Sequence, residues 1–164
     1  MDVFVEQLVK KKKTPGDMAI ISVTIWLGLL IMVLTFMYLF PLTALVVCGV
    51  GYLMFRIVTS QNVEFEYSVT NGDIDIDCIR GKRTRKRIVS VRGAKIESLE
   101  HRSPTAEERK RYDRLVMAAA LDHSDDNWCF TYHSKKSGHT LVIFQPDDRI
   151  LEALTAGLPR HVIR

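Results

Sequence analysis

The sequence predicts an α+β membrane protein: an N-terminal transmembrane helical hairpin, then a small, mostly antiparallel β domain that ends in a helix. Three observations predict it. Residues 18–55 contain no Asp, Glu, Lys, Arg or His, while Lys10, Lys11, Lys12 and Lys13 precede that run and Arg56 closes it. From residue 62 onward charge returns and apolar and polar residues alternate, as in Val63-Glu-Phe-Glu-Tyr-Ser-Val-Thr70, the period of a half-buried strand. Near the C-terminus, Pro146-Asp147 opens a segment that places Ile150, Leu151, Leu154 and Leu158 on one helical face, with Gly157 and Pro159 as stops.

The uncharged run decides the membrane part. One straight helix over it would measure roughly 57 Å, nearly twice a hydrocarbon core of about 30 Å. Pro41 interrupts the helical ladder and divides the run into spans over Met18–Tyr38 and Leu42–Val58, within residues 18–58. Basic residues near span ends stay on the cytoplasmic side. Both flanks are basic and the turn Phe40-Pro41-Leu42-Thr43 has no charge, so both ends are expected inside, in the cell membrane. The run is too long for a signal-peptide core, which predicts an uncleaved anchor. A self-contained pump or ion pathway usually places ionisable groups at membrane depth, and none is there. Gly28, Ala44, Gly49 and Gly51 either let helices approach closely or simply reflect span composition.

Residues 1–17 form an amphipathic and basic segment. Phe4 and Leu8 stand four apart, as do Val5 and Val9, ahead of the four lysines. The segment reads either as a short interfacial helix on an anionic leaflet or as a frayed terminus whose lysines set topology. Thr14-Pro15-Gly16-Asp17 reads as a break before the first span.

Residues 62–164 have the size of one small domain. Asn71-Gly72 is a strong hairpin signal, and Asp73-Ile-Asp-Ile-Asp-Cys-Ile79 alternates after it. A two-residue loop pairs Val69 with Ile74, Tyr67 with Ile76 and Phe65 with Cys78 on one face. The other face then sets Glu66 opposite Asp77 and Ser68 opposite Asp75. Facing carboxylates destabilise a sheet, and the basic run Arg80–Arg92 supplies a third strand that can neutralise them. Arg80, Lys82, Arg83 and less clearly Arg85, near the turn at Gly81, are left to meet an anionic surface. Ile96 and Leu99 extend the sheet. Ser103 and Pro104 are expected as N-cap and first residue of a short helix. Residues 115–121 suit helix or strand equally. Trp128, Phe130 and Tyr132 mark a strand, residues 134–138 a loop, and residues 140–145 the return strand.

These elements resemble a known family. The stretches Met1 to Leu8, Glu66-Tyr-Ser-Val-Thr-Asn-Gly-Asp-Ile-Asp75 and Phe144-Gln-Pro-Asp-Asp148 are similar to an uncharacterised family of two-span membrane proteins of Gram-positive bacteria. The strand order resembles the bacterial pleckstrin-homology-like (PH-like) domains that follow one or two spans. That resemblance implies a curved sheet closed at one end by the C-terminal helix, and no established activity.

Catalytic patterns are not found: no phosphate-cradling glycine loop, no paired-histidine helix and no serine elbow. His123, Cys129 and His133 come nearest to a metal cluster but lack an evident fourth ligand. Cys78 fits the sheet core and Cys48 lies in a span. Aromatic residues are not interleaved with the basic run as a single-strand nucleic-acid groove requires. The expected function is a non-catalytic interaction module, with no cofactor and no evident small-molecule substrate. It would contact anionic headgroups or a membrane protein through Lys10, Lys11, Lys12, Lys13, Arg80, Lys82 and Arg83. The alternative is an accessory subunit of an envelope enzyme or transporter, recognised through its spans.

Overall fold

In the computed structural model, residues 4–122, 124–135, 137–159 and 162–163 are described. Helices α1 (Pro15–Tyr38) and α2 (Thr43–Ser60) are joined by a 3-10 turn over Phe40–Leu42. Both are long and apolar enough to cross a membrane. Proline breaks the ladder where the sequence placed the break. The segment 14–17 is the helix start rather than an interruption. Thr14 caps α1: its hydroxyl accepts from the Asp17 N–H at 3.3 Å, while the Asp17 carboxylate accepts from the Thr14 N–H at 2.9 Å. Proline suits the first helical position because its missing N–H would have been unpaired anyway. Gly28 and Thr35 are the buried residues of α1. A Cβ on Gly28 would lie 2.2 Å from the Met54 sulfur of α2, whereas Gly49 and Gly51 face open space. Gly28 alone of the four small residues is thus shown to sit at a tight helix contact.

The segment before the helices is a strand. β1 (Phe4–Lys10) pairs antiparallel with β2 (Val63–Thr70), from Phe4 opposite Thr70 to Lys10 opposite Glu64. This corrects both readings of the segment, the interfacial helix and the frayed terminus. Val5 and Val9 point inward onto the core while Phe4 and Leu8 stay exposed. Alternating Val5, Gln7 and Val9 satisfy a two-residue period as well as the helical one, and the free edge of a distant strand settles which is used. Gln7 ties β1 to the far side of the domain, donating to the Gln145 carbonyl at 3.2 Å and accepting from the Asp147 N–H at 2.8 Å. The two apolar helices are therefore an insertion in the β1–β2 connection.

The first sheet continues with β3 (Asp73–Arg80) and β4 (Thr84–Val91), in the order β1-β2-β3-β4. The β2–β3 register is the expected one, with Val69 opposite Ile74 and Phe65 opposite Cys78. Asn71 (φ 51°) and Gly72 (φ 86°) take the positive φ values that a tight hairpin needs.

Residues 96 and 99 belong to a second sheet rather than extending the first. β5 (Ile96–Glu100), β7 (Trp128–Ser134), β8 (Gly138–Phe144) and β6 (Arg114–Met117) lie in the order β5-β7-β8-β6. The ambiguous segment at 115 is thus a strand at its start, running parallel to β8. Helix α3 (Ala106–Arg109) begins two residues later than expected, because Thr105 and Glu108 form the reciprocal cap. Between the sheets pack Tyr67, Phe130 and Phe144, edge to face at 5.7 Å and 5.3 Å from Phe144. Helix α4 (Asp148–Thr155), capped by Asp147, buries Ile150, Ala153 and Leu154. It closes the end of the sandwich where Gly157 meets Gly72.

Candidate functional site

The end of the sandwich opposite α4 is where the apolar helices leave and return. Three chain segments meet there. The first is the end of β1: Lys10 lies 3.9 Å from Glu64, and Lys11 lies 3.4 Å from Asp17. Backbone bonds from Lys11 to the Val63 carbonyl (3.0 Å) and from Lys12 to the Ala120 carbonyl (2.9 Å) hold this lysine run against β2 and the segment that follows β6. The second is the last turn of α2, with Arg56 exposed. The third is the β3–β4 turn.

That turn is built to dock on α2. Gly81 (φ 58°) and Lys82 (φ 56°) are both left-handed, a conformation that costs a non-glycine residue energy. The Gly81 N–H donates to the Asn62 carbonyl at 2.8 Å, and a Cβ on Gly81 would meet the Thr59 carbonyl oxygen at 3.1 Å. The Arg83 guanidinium lies 5.4 Å from the centre of the Phe55 ring, within cation–π range. Two shallow grooves flank Gly81. One, of about 310 Å³, includes Lys10, Lys11, Glu64 and Lys82; the other, of about 320 Å³, includes Arg56, Ser60, Arg80 and Arg83.

Of the seven expected residues, Lys10, Lys11, Arg80, Lys82 and Arg83 line the grooves around Gly81, Lys12 and Lys13 follow them in the chain, and Arg56 is added. Among the described residues, Lys12, Lys13, Arg56, Arg80, Lys82 and Arg83 make no ion pair, whereas Lys10 and Lys11 are partly engaged. Arg85 is not free. It binds Asp77 at 2.7 Å and also Glu66, and Arg87 binds Asp77 at 3.0 Å and Asp75 at 3.1 Å. A β-bulge makes this possible. The register shifts between Ile76 and Asp77, leaving Ile88 as the extra residue of β4. That single residue reverses the alternation, so Arg85 and Arg87 share the face of the acidic residues and Lys86 takes the other. Burial raises the Asp77 pKa, but hydrogen bonds from Arg85 and Arg87 outweigh it and hold the carboxyl below its ordinary range. The basic strand is thus divided: its middle neutralises the acidic hairpin, and its turn end carries unpaired charge.

The expected metal cluster is not assembled from what is described. His123 lies outside the described residues. Cys129 is buried, and that burial pushes its thiol up to about 11, while His133 is exposed on the same strand. Among the described residues no group of three potential ligands converges.

Residues 1–164 match the family described as Bacterial PH-like domain (DUF6106). The chain belongs to this bacterial PH-like family. The match runs through β1 and both apolar helices as well as the strands that follow, so the inserted helical pair lies within the extent of the family. No curated protein and no solved structure matches the chain. In the sequence Arg56 marks only the basic end of the second span; that the β3–β4 turn docks beside it, with Arg83 on Phe55, is not legible there, because these two residues are 28 apart in sequence.

Proposed function

We propose that this chain is a membrane-anchored, non-catalytic interaction module, whose PH-like domain rests at the cytoplasmic leaflet with its basic rim on anionic lipid headgroups. One observation carries the reading: the apolar helices are inserted between two paired strands. Lys10 and Glu64 are cross-strand partners, so their Cα atoms are about 5 Å apart. The helical pair must then leave and re-enter the domain at one face, as a two-span hairpin does and a single crossing does not. Lys12, Lys13, Arg56, Arg80, Lys82 and Arg83, without an ion pair among the described residues, flank the two chain crossings or the turn beside them. Cations flanking spans favour the cytoplasmic side, where anionic headgroups attract them.

The test uses the full chain extracted from membranes of mixed phosphatidylglycerol and phosphatidylcholine, with retained lipid quantified by mass spectrometry. Phosphatidylglycerol should be enriched over its share of the membrane. The enrichment should fall when Lys12, Lys13, Lys82 and Arg83 are replaced by Glu, and when salt shortens the Debye length. Retained lipid of the same composition as the membrane would refute the proposal.

A second reading is an accessory subunit of an envelope enzyme or transporter, recognised through the spans. It draws on Gly49 and Gly51, which meet open space on two different sides of α2, room for a partner helix at either. Crosslinking in native membranes to one protein, lost when those glycines are enlarged, would favour it.

A further inference from the structure

The two sheets do not close on each other along one seam. β4 is an edge of the first sheet and β6 an edge of the second. No ladder joins them among the described residues; the Arg114 guanidinium reaches across to the Ile88 carbonyl at 3.3 Å. At the end of this seam beside the apolar helices lies a groove of about 410 Å³. Its apolar walls come from both sheets: Phe65, Cys78 and Ile88 from one, Leu115, Val116 and Met117 from the other. Leu115, one of the lining residues, is 43% exposed. The polar members are three cations, Lys11, Arg80 and Arg114, and no carboxylate lines the groove. Among the described residues Arg80 and Arg114 make no ion pair, and Lys11 shares its charge with Asp17 outside the groove.

An apolar cleft rimmed only by cations is complementary to a molecule with one negative head and one apolar tail. A neutral lipid would leave the cations unmatched, and a small polar anion would leave the apolar wall wet. The volume lies in the range of small-ligand sites. We infer that this groove binds a single-chain anionic lipid, its head between Lys11, Arg80 and Arg114 and its chain along Leu115, Met117, Ile88 and Phe65. The site deepens the proposed function and rests on it in one respect: the adjoining leaflet supplies the lipid.

The test is photolabelling of the full chain in phosphatidylcholine nanodiscs, with a photoactivatable 16-carbon fatty acid and its methyl ester as neutral control. Attachment sites are mapped by mass spectrometry. The acid should label peptides carrying Leu115–Met117 and Val63–Phe65, with the ester at least tenfold weaker. Arg114→Glu and Leu115→Glu should each reduce labelling there by about tenfold. Leu115 is partly exposed, so its variant should fold, and an unchanged melting curve would verify that. Lys82→Glu with Arg83→Glu alters the outer rim and should leave groove labelling unchanged, so that failure of headgroup enrichment and failure of the groove are told apart. Label confined to α1 and α2, equal labelling by acid and ester, or full labelling of the folded Leu115→Glu variant would overturn the inference.

Discussion

Asp77→Asn isolates the charge network that occupies the middle of the basic strand. The Asp77 carboxylate accepts from Arg85 Nε at 2.7 Å and from Arg87 Nε at 3.0 Å, and its side chain is 8% exposed. The amide keeps one acceptor oxygen and turns an N–H₂ group toward a guanidinium, so one charge-assisted bond is lost and the other weakened. Hydrogen bonds to charged groups contribute about 1.5–3 kcal/mol each. Both arginine side chains are more than half exposed, and water replaces part of what they lose, which argues for the lower end. We expect a loss of about 1.5–2 kcal/mol, or a fall in Tm of roughly 6–16 °C for a domain near 100 residues. Thermal unfolding of the full chain in phosphatidylcholine nanodiscs, followed by Trp128 fluorescence, measures it. The pH dependence gives a second reading of the same network. The folded pKa of Asp77 is depressed below its ordinary 3.8, so its contribution is complete above that value and is lost as pH falls through the folded pKa. The gap between wild type and variant should be constant from about pH 8 to 5 and narrow below about pH 4. A gap under about 0.5 kcal/mol at pH 7, or one that widens on acidification, would refute the reasoning.

Gly72→Ala should destabilise the domain by more than about 1 kcal/mol, because φ is 86° and the added Cβ would sit 2.7 Å from the Gly157 Cα; unfolding at the wild-type midpoint would contradict both the turn and its contact with Gly157. A cysteine introduced at Thr14 or at Ser60, with Cys48 replaced by Ala and with Cys78 and Cys129 buried in the domain, should in each case react with a membrane-impermeant maleimide only from the cytoplasmic side. Reaction of the two from opposite sides would remove the hairpin. A chain beginning at residue 62 should fail to fold cooperatively, since it lacks Val5, Val9 and the Gln7 bonds. A chain in which a two-residue Asn-Gly loop replaces 13–61 should recover a cooperative melt, because it restores the β1–β2 pairing; equal melts for the two would show β1 to be dispensable.

What could be read in the amino-acid order was local. An uncharged run longer than one span, broken by Pro41, is a property of consecutive residues, and so is alternation around Asn71-Gly72, where turn geometry and hydrophobic period demand the same register. The end of α4 follows from Gly157 and Pro159 for the same reason. The rim could be anticipated as a set of basic residues beside spans, though not as one surface. Three features depended on segments distant in sequence. Residues 4–10 carry a helical and a strand-like pattern at once, and only the open edge of β2, more than fifty residues away, selects the strand. The side on which Arg85 and Arg87 project depends on one bulged residue, Ile88, which relieves facing carboxylates that the hairpin alone would have left unpaired. The sheet to which Ile96 and Leu99 belong depends on pairing with β7, because a backbone segment must find its hydrogen-bond partners wherever an edge is free. Sequence determined which segments are apolar, alternating or charged; the competition for sheet edges and for countercharges decided which of them became neighbours.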